Sequence, residues 1–108
     1  MLDKSVMDKL NVICEVISDT VQAMRIYLFG SYARGTQNKN SDFDIYVVIR
    51  DGSARQIDAM KQIHKALYKK SDMPLDILVE TEENFARKCK MPTLERTINR
   101  EGIMLHER

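Results

Sequence analysis

The apolar residues of this chain change period partway along it, and that change restricts the fold more than any other feature. From residue 4 to about 24, Val6, Leu10, Ile13, Ile17 and Val21 recur at steps of four, three, four and four. This is one stripe of an amphipathic helix, with Asp3 placed to cap it. Residues 25–29 then form a short apolar run ending at Gly30, the pattern of a buried strand. In 43–50, Phe43, Ile45, Val47 and Ile49 alternate with Asp44, Tyr46, Val48 and Arg50, which predicts a second strand. Asp51-Gly52 is a turn, and Ser53 is placed to cap a helix carrying Ile57, Met60, Ile63 and Leu67. After Pro74, residues 75–79 read as a third strand. Thr81, followed by Glu82 and Glu83, starts a helix with acids where the dipole favours them. Pro92 opens a further short helix that Gly102 stops, and 103–105 form a last edge strand. Long helices beside a few short strands predict a small α/β or α+β sandwich.

The chain has 108 residues, enough for one core, so a single domain over 1–108 is expected. Lys plus Arg number 17 and Asp plus Glu 16, a net charge of +1. A protein that coats nucleic acid needs a basic excess to replace phosphate counterions, so no direct nucleic-acid binding is expected. No apolar run is long enough to span a membrane, and the first residues lack the apolar core of a secretion signal. Cys14 and Cys89 have no CxxC spacing; two reduced thiols in a cytoplasm are the expectation.

Three features converge on the polar stretch 30–41, which is longer than an ordinary connection. Gly30-Ser31 follows directly on a strand. A glycine there allows a sharp turn and close approach of a ligand, and a helical turn starting at Ser31 would aim free amides and a hydroxyl at a phosphate. Asp42 and Asp44 stand two apart at the start of the next strand, so both carboxylates share a face. Such a pair repels, and an oxygen-seeking divalent cation relieves the repulsion; Mg²⁺ held by one or two carboxylates plus substrate phosphates fits. Asp76, 32 positions after Asp44, opens a strand at a place where hydrocarbon would be usual. If that strand neighbours 43–50, it brings a third carboxylate to a two-metal centre for phosphoryl chemistry. Each piece alone has an ordinary explanation, as a turn or a charged strand end. Their order and spacing together point to one site.

Gly30-Ser31, ten residues, then Asp42-Phe43-Asp44 resembles the Gly-Ser…Asp-x-Asp motif of the DNA polymerase β-like nucleotidyltransferase superfamily. The string GSYARGTQNKNSDFDI is similar to that of the minimal nucleotidyltransferase proteins of bacteria and archaea, often encoded beside a HEPN-domain protein as the antitoxin of a toxin–antitoxin pair. Asp76 matches the third acidic position. The resemblance implies a small mixed sheet with helices packed mainly on one face. It implies Mg²⁺-dependent transfer of AMP from ATP to a hydroxyl, with pyrophosphate released. Gly30 and Ser31 would hold the β- and γ-phosphates, Asp42 and Asp44 the metals. Asp76 would be a general base or a ligand of the second metal. The implied acceptor is a tyrosine of the HEPN toxin.

Arg34 would reach the triphosphate, clamp a carboxylate of the cluster or make a surface ion pair. Ser41 would cap or orient Asp42. Tyr46 is expected in the core, His64 and His106 at the surface, and the basic run 87–90 at a solvated helix end. Larger enzymes of the superfamily add acceptor-binding domains, so here the acceptor surface is expected from a second chain or a second copy. Two other readings stand beside the adenylyltransferase antitoxin: a non-catalytic module that neutralises its partner by occlusion, and a small-molecule nucleotidyltransferase with a separate acceptor-binding subunit.

Overall fold

The computed structural model describes residues 2–70 and 73–108. In chain order the elements are α1 (Lys4–Thr20), β1 (Ala23–Phe29), α2 (Gly30–Arg34), β2 (Phe43–Ile49), α3 (Gln56–Leu67), β3 (Leu75–Thr81), α4 (Glu82–Cys89), α5 (Leu94–Glu101) and β4 (Ile103–Glu107). The strands form one mixed sheet in the order β3-β2-β1-β4. β1 is antiparallel to both β2 and β4. β2 and β3 are parallel, as a strand–helix–strand crossover through α3 requires.

Alternation along each strand divides the apolar residues between two faces. Ile26 and Leu28 of β1, Phe43, Ile45, Val47 and Ile49 of β2, and Ile77 and Val79 of β3 pack against α1 and α3. Leu10, Ile13 and Ile17 come from α1, and Ala59, Ile63 and Leu67 from α3. The opposite face gathers Tyr27, Tyr46 and Val48 with Phe85 of α4 and Ile98 of α5. The two long helices therefore share one face, and the eight-residue α4 and α5 lie on the other. Asp44 and Tyr46 alternate with Phe43 and Ile45, so Asp44 belongs to the α4–α5 face.

Two polar ties hold these short helices down. Tyr46, 2% exposed, donates from its hydroxyl to Glu95 Oε2 at 2.8 Å. Glu80, 6% exposed, accepts from Lys88 Nζ at 2.7 Å, Gln56 Nε2 at 2.8 Å, the Thr81 amide at 2.9 Å and Asn84 Nδ2 at 3.2 Å. A buried carboxylate is stable only when its lone pairs are engaged in this way. Lys88 is thus a partner of the interior, whereas the sequence predicted a solvated helix end there.

Capping follows the sequence at two helices. Asp3 accepts from the Val6 amide at 2.8 Å, and Thr81 accepts from the Asn84 amide at 3.4 Å. Three boundaries move. α1 stops at Thr20, not near 24, because Ala23 is already paired with Ile49 in the sheet. α3 starts at Gln56, since Ser53 donates its hydroxyl to the Arg50 carbonyl at 2.6 Å and closes a turn instead of capping. α5 starts after Thr93, whose hydroxyl accepts from the Arg96 amide at 3.2 Å. No described helix is long and apolar enough to cross a membrane.

Candidate active site

β1 ends where β2 and β3 begin, and the predicted site residues lie at that edge of the sheet. Phe29, the last residue of β1, pairs with Asp44, and Asp44 pairs with Asp76 across the parallel ladder. Paired residues share a face, so the third carboxylate stands beside the second. The condition set by the sequence, that β3 neighbour β2, is met.

Gly30 turns the chain from β1 into α2 with φ +73°, a conformation costly for any other residue. A Cβ built on it would collide with the Asp44 carboxylate. Backbone and carboxylate thus approach as closely as glycine alone permits. Gly35 ends α2 in the left-handed conformation at φ +74°, with its amide donating to the Ser31 carbonyl. Ser31 lies in the first turn of α2, where amides have no acceptor within the helix. Tyr32, 9% exposed, anchors α2 by packing on Phe43 at 4.7 Å between ring centroids.

The electrostatics tie the acids together. Burial first, then the charges of Asp76 and Asp42, push the Asp44 carboxyl above its ordinary range; Arg34 pulls it back. Asp44 is half-buried, while Asp42, Asp76 and Arg34 are exposed. Among the described residues, Arg34 makes no ion pair within 4.0 Å, so its field acts from a distance. The side chains of Ser31, Asp42, Asp44 and Asp76 make no hydrogen bond among the described residues and are free to meet a ligand. Ser41 does not orient Asp42; its hydroxyl accepts from the Asn38 amide at 2.9 Å within the loop. Among the described residues no three acids, histidines or cysteines form a ready metal cage.

α5 adds residues that the sequence did not single out. Leu94, Thr97 and Glu101 line a small cleft of about 70 Å³ together with Phe29, Gly30 and Arg34. They follow Gly30 by more than sixty positions, and only the packing of Ile98 on the sheet brings them to it. No local pattern could have announced this. Tyr46 is in the core as predicted, and His64 is exposed.

A nucleotidyltransferase domain model matches residues 10–103. A Methanocaldococcus jannaschii protein, provisionally named a protein adenylyltransferase, is 34% identical over 82 residues, covering 76% of this chain and 77% of that one. The Shewanella oneidensis protein adenylyltransferase MntA is 48% identical over 42 residues, 38% of this chain. That match spans only 30% of the MntA chain. Among solved structures, a toxin–antitoxin complex with AMP-PNP has a chain that superposes with a TM-score of 0.63 at 25% identity, over 91% of this chain and 73% of that one. With a match across most of its length and the corresponding fold, the chain belongs to the nucleotidyltransferase domain family.

Proposed function

We propose that this chain transfers AMP from ATP to a protein hydroxyl, and that the acceptor is a tyrosine of a HEPN-domain toxin which it neutralises. The observation that carries the reading is the convergence at Gly30: a glycine turn wedged against Asp44, with Asp76 next to Asp44 in the ladder. The relatives named as protein adenylyltransferases and the toxin–antitoxin neighbour support the acceptor class.

In this reading the amides and hydroxyl at Gly30 and Ser31 cradle the β- and γ-phosphates, and Arg34 adds a positive charge on the same side. The acceptor oxygen attacks the α-phosphorus, the bond to the β-phosphate oxygen breaks, and pyrophosphate leaves. Asp76 either accepts the hydroxyl proton or helps hold the second metal. The carboxylates fit Mg²⁺ as a donor set: all are oxygen ligands, they already repel one another, and their side chains are uncommitted. Asp42, Asp44 and Asp76 would hold it, and it would neutralise the triphosphate and polarise the phosphoryl group. A cation that binds through few carboxylates and arrives with the nucleotide needs no complete cage beforehand.

The test is co-expression with a HEPN partner, followed by intact mass measurement of that partner. A gain of one AMP, lost in Asp42→Asn or Asp76→Asn, is the expected result. Neutralisation by those variants without any mass gain would favour the occluding module. AMP transfer to a small hydroxyl compound, with none to protein, would favour the small-molecule enzyme.

A further inference from the structure

The cleft beside Gly30 does not end at α5. Leu94 and Thr97 also line a second, open groove with Pro92, Thr93, Arg96 and Arg100. Leu94 and Thr97 border both depressions, so the groove lies next to the cleft at Gly30. Arg96 and Arg100 are one helical turn apart, both exposed, and among the described residues neither has a carboxylate within 4.0 Å. The acids of α5 are directed elsewhere: Glu95 accepts from Tyr46, and Glu101 lines the cleft. Leu94, the first residue of α5, is 45% exposed, and Met91, just before the helix, is 42% exposed. Two guanidiniums with no carboxylate partner among the described residues line the groove with the exposed Leu94 and form a mixed surface. It suits a protein segment with carboxylates and an apolar anchor.

We propose that the α5 groove docks an acidic segment of the acceptor protein, with an apolar side chain seated against Leu94, and so presents the acceptor hydroxyl to the nucleotide. This inference rests on the proposed transfer to protein. Nucleic acid suits the groove less well: two arginines neutralise few phosphates, and the whole chain carries only +1.

Two fluorescent tyrosine peptides test it, one with Leu and flanking Glu residues, the other with Leu and flanking Lys residues. Binding to the full chain is measured by anisotropy. The acidic peptide is expected to bind at least about tenfold more tightly, and Arg96→Glu with Arg100→Glu to reverse the order. Calorimetry with Mg-ATP on the same samples reports separately on the nucleotide site, and the double variant should bind ATP as wild type does. Equal affinities, no binding of the acidic peptide, or tighter binding of a uridine oligonucleotide would overturn the docking proposal. ATP binding without the peptide preference would sink this inference and leave the proposed function standing. The peptide preference without ATP binding would sink the proposed transfer and leave only the surface that docks an acidic segment.

Discussion

A methyl group on Gly30 would fall on the carboxylate of Asp44. The two residues are 14 positions apart in the sequence, yet the turn out of β1 and the start of β2 leave no space between them. Gly30→Ala combines that collision with a positive φ of 73°. A non-glycine residue held there costs about 2 kcal/mol before the collision is added. The variant is expected to melt well below wild type, and any folded fraction to show no heat with Mg-ATP in calorimetry. A variant that melts with wild type and still binds nucleotide would mean that Asp44 has room to move, and the close-approach argument would fail.

Asp44 itself is a liability to the ligand-free fold. Its carboxyl is raised by burial and by Asp76 and Asp42. A carboxyl raised in the folded state lowers stability above its usual range, and the loss is recovered as pH falls through the raised value. Asp44→Asn removes the charge, so the ligand-free variant should be as stable as wild type or up to ~2 kcal/mol more stable at neutral pH. The difference should shrink in acid. Mg-ATP at a hundredfold excess over its dissociation constant should stabilise wild type by about 2.7 kcal/mol, and the variant should lose most of that gain. Paired thermal melts measure both. A ligand-free variant melting well below wild type would make Asp44 a structural residue.

For Asp42→Asn and Asp76→Asn the expected loss of transfer is at least about a hundredfold, with the fold retained, because each removes charge stabilisation from the reacting phosphoryl group. The measurement is the rate of AMP incorporation into the partner, with circular dichroism as the control for folding. Full activity in Asp76→Asn would remove the third carboxylate from the site.

Much of this candidate site's geometry was legible in the sequence, for local reasons. Gly30, Ser31, Asp42 and Asp44 fall in one short window, where a strand end, a turn and a strand start leave patterns that survive without tertiary knowledge. Asp76 needed one further fact, the adjacency of β3 to β2, and a strand–helix–strand run makes that adjacency the ordinary outcome. Other features were set by tertiary packing. The last turn predicted for α1 gave way to β1 pairing, and Ser53 found a carbonyl nearer than a helix terminus. Lys88 was expected at a solvated helix end because nothing in its neighbourhood announces Glu80, the buried carboxylate that it shares with Gln56 of α3. The α5 side of the cleft depends on how Ile98 docks, and its periodicity shows an amphipathic helix without showing its neighbour.

The thiols should react unequally. Cys14 is buried, and burial pushes its thiol up to about 11. Cys89 is only half-buried; burial raises it, and Arg25 partly offsets the rise. Only the thiolate is nucleophilic, so iodoacetamide at neutral pH should label Cys89 first and Cys14 only on unfolding. Peptide mapping of the alkylated protein gives the order. Early labelling at Cys14 would mean that α1 opens readily.

Glu80 is expected to make the fold sensitive to acid. Burial works against its charge, but hydrogen bonds from Lys88, Gln56, the Thr81 amide and Asn84 outweigh it and bring its pKa from 4.5 down to about 2. A depressed carboxyl contributes stability that is fully present above its unfolded value and is lost as pH falls through the folded one. The window is therefore pH 4.5 to about 2, and the amount at stake is on the order of 3 kcal/mol. Glu80→Gln should remove this acid sensitivity. At neutral pH it should also destabilise the protein, because Lys88 keeps its charge and loses its carboxylate. Urea melts of wild type and Glu80→Gln between neutral pH and pH 2 would show the two stabilities approaching one another as the acid window is crossed. Parallel curves, separated by a constant amount down to pH 2, would show that the Lys88 pair adds nothing pH-dependent.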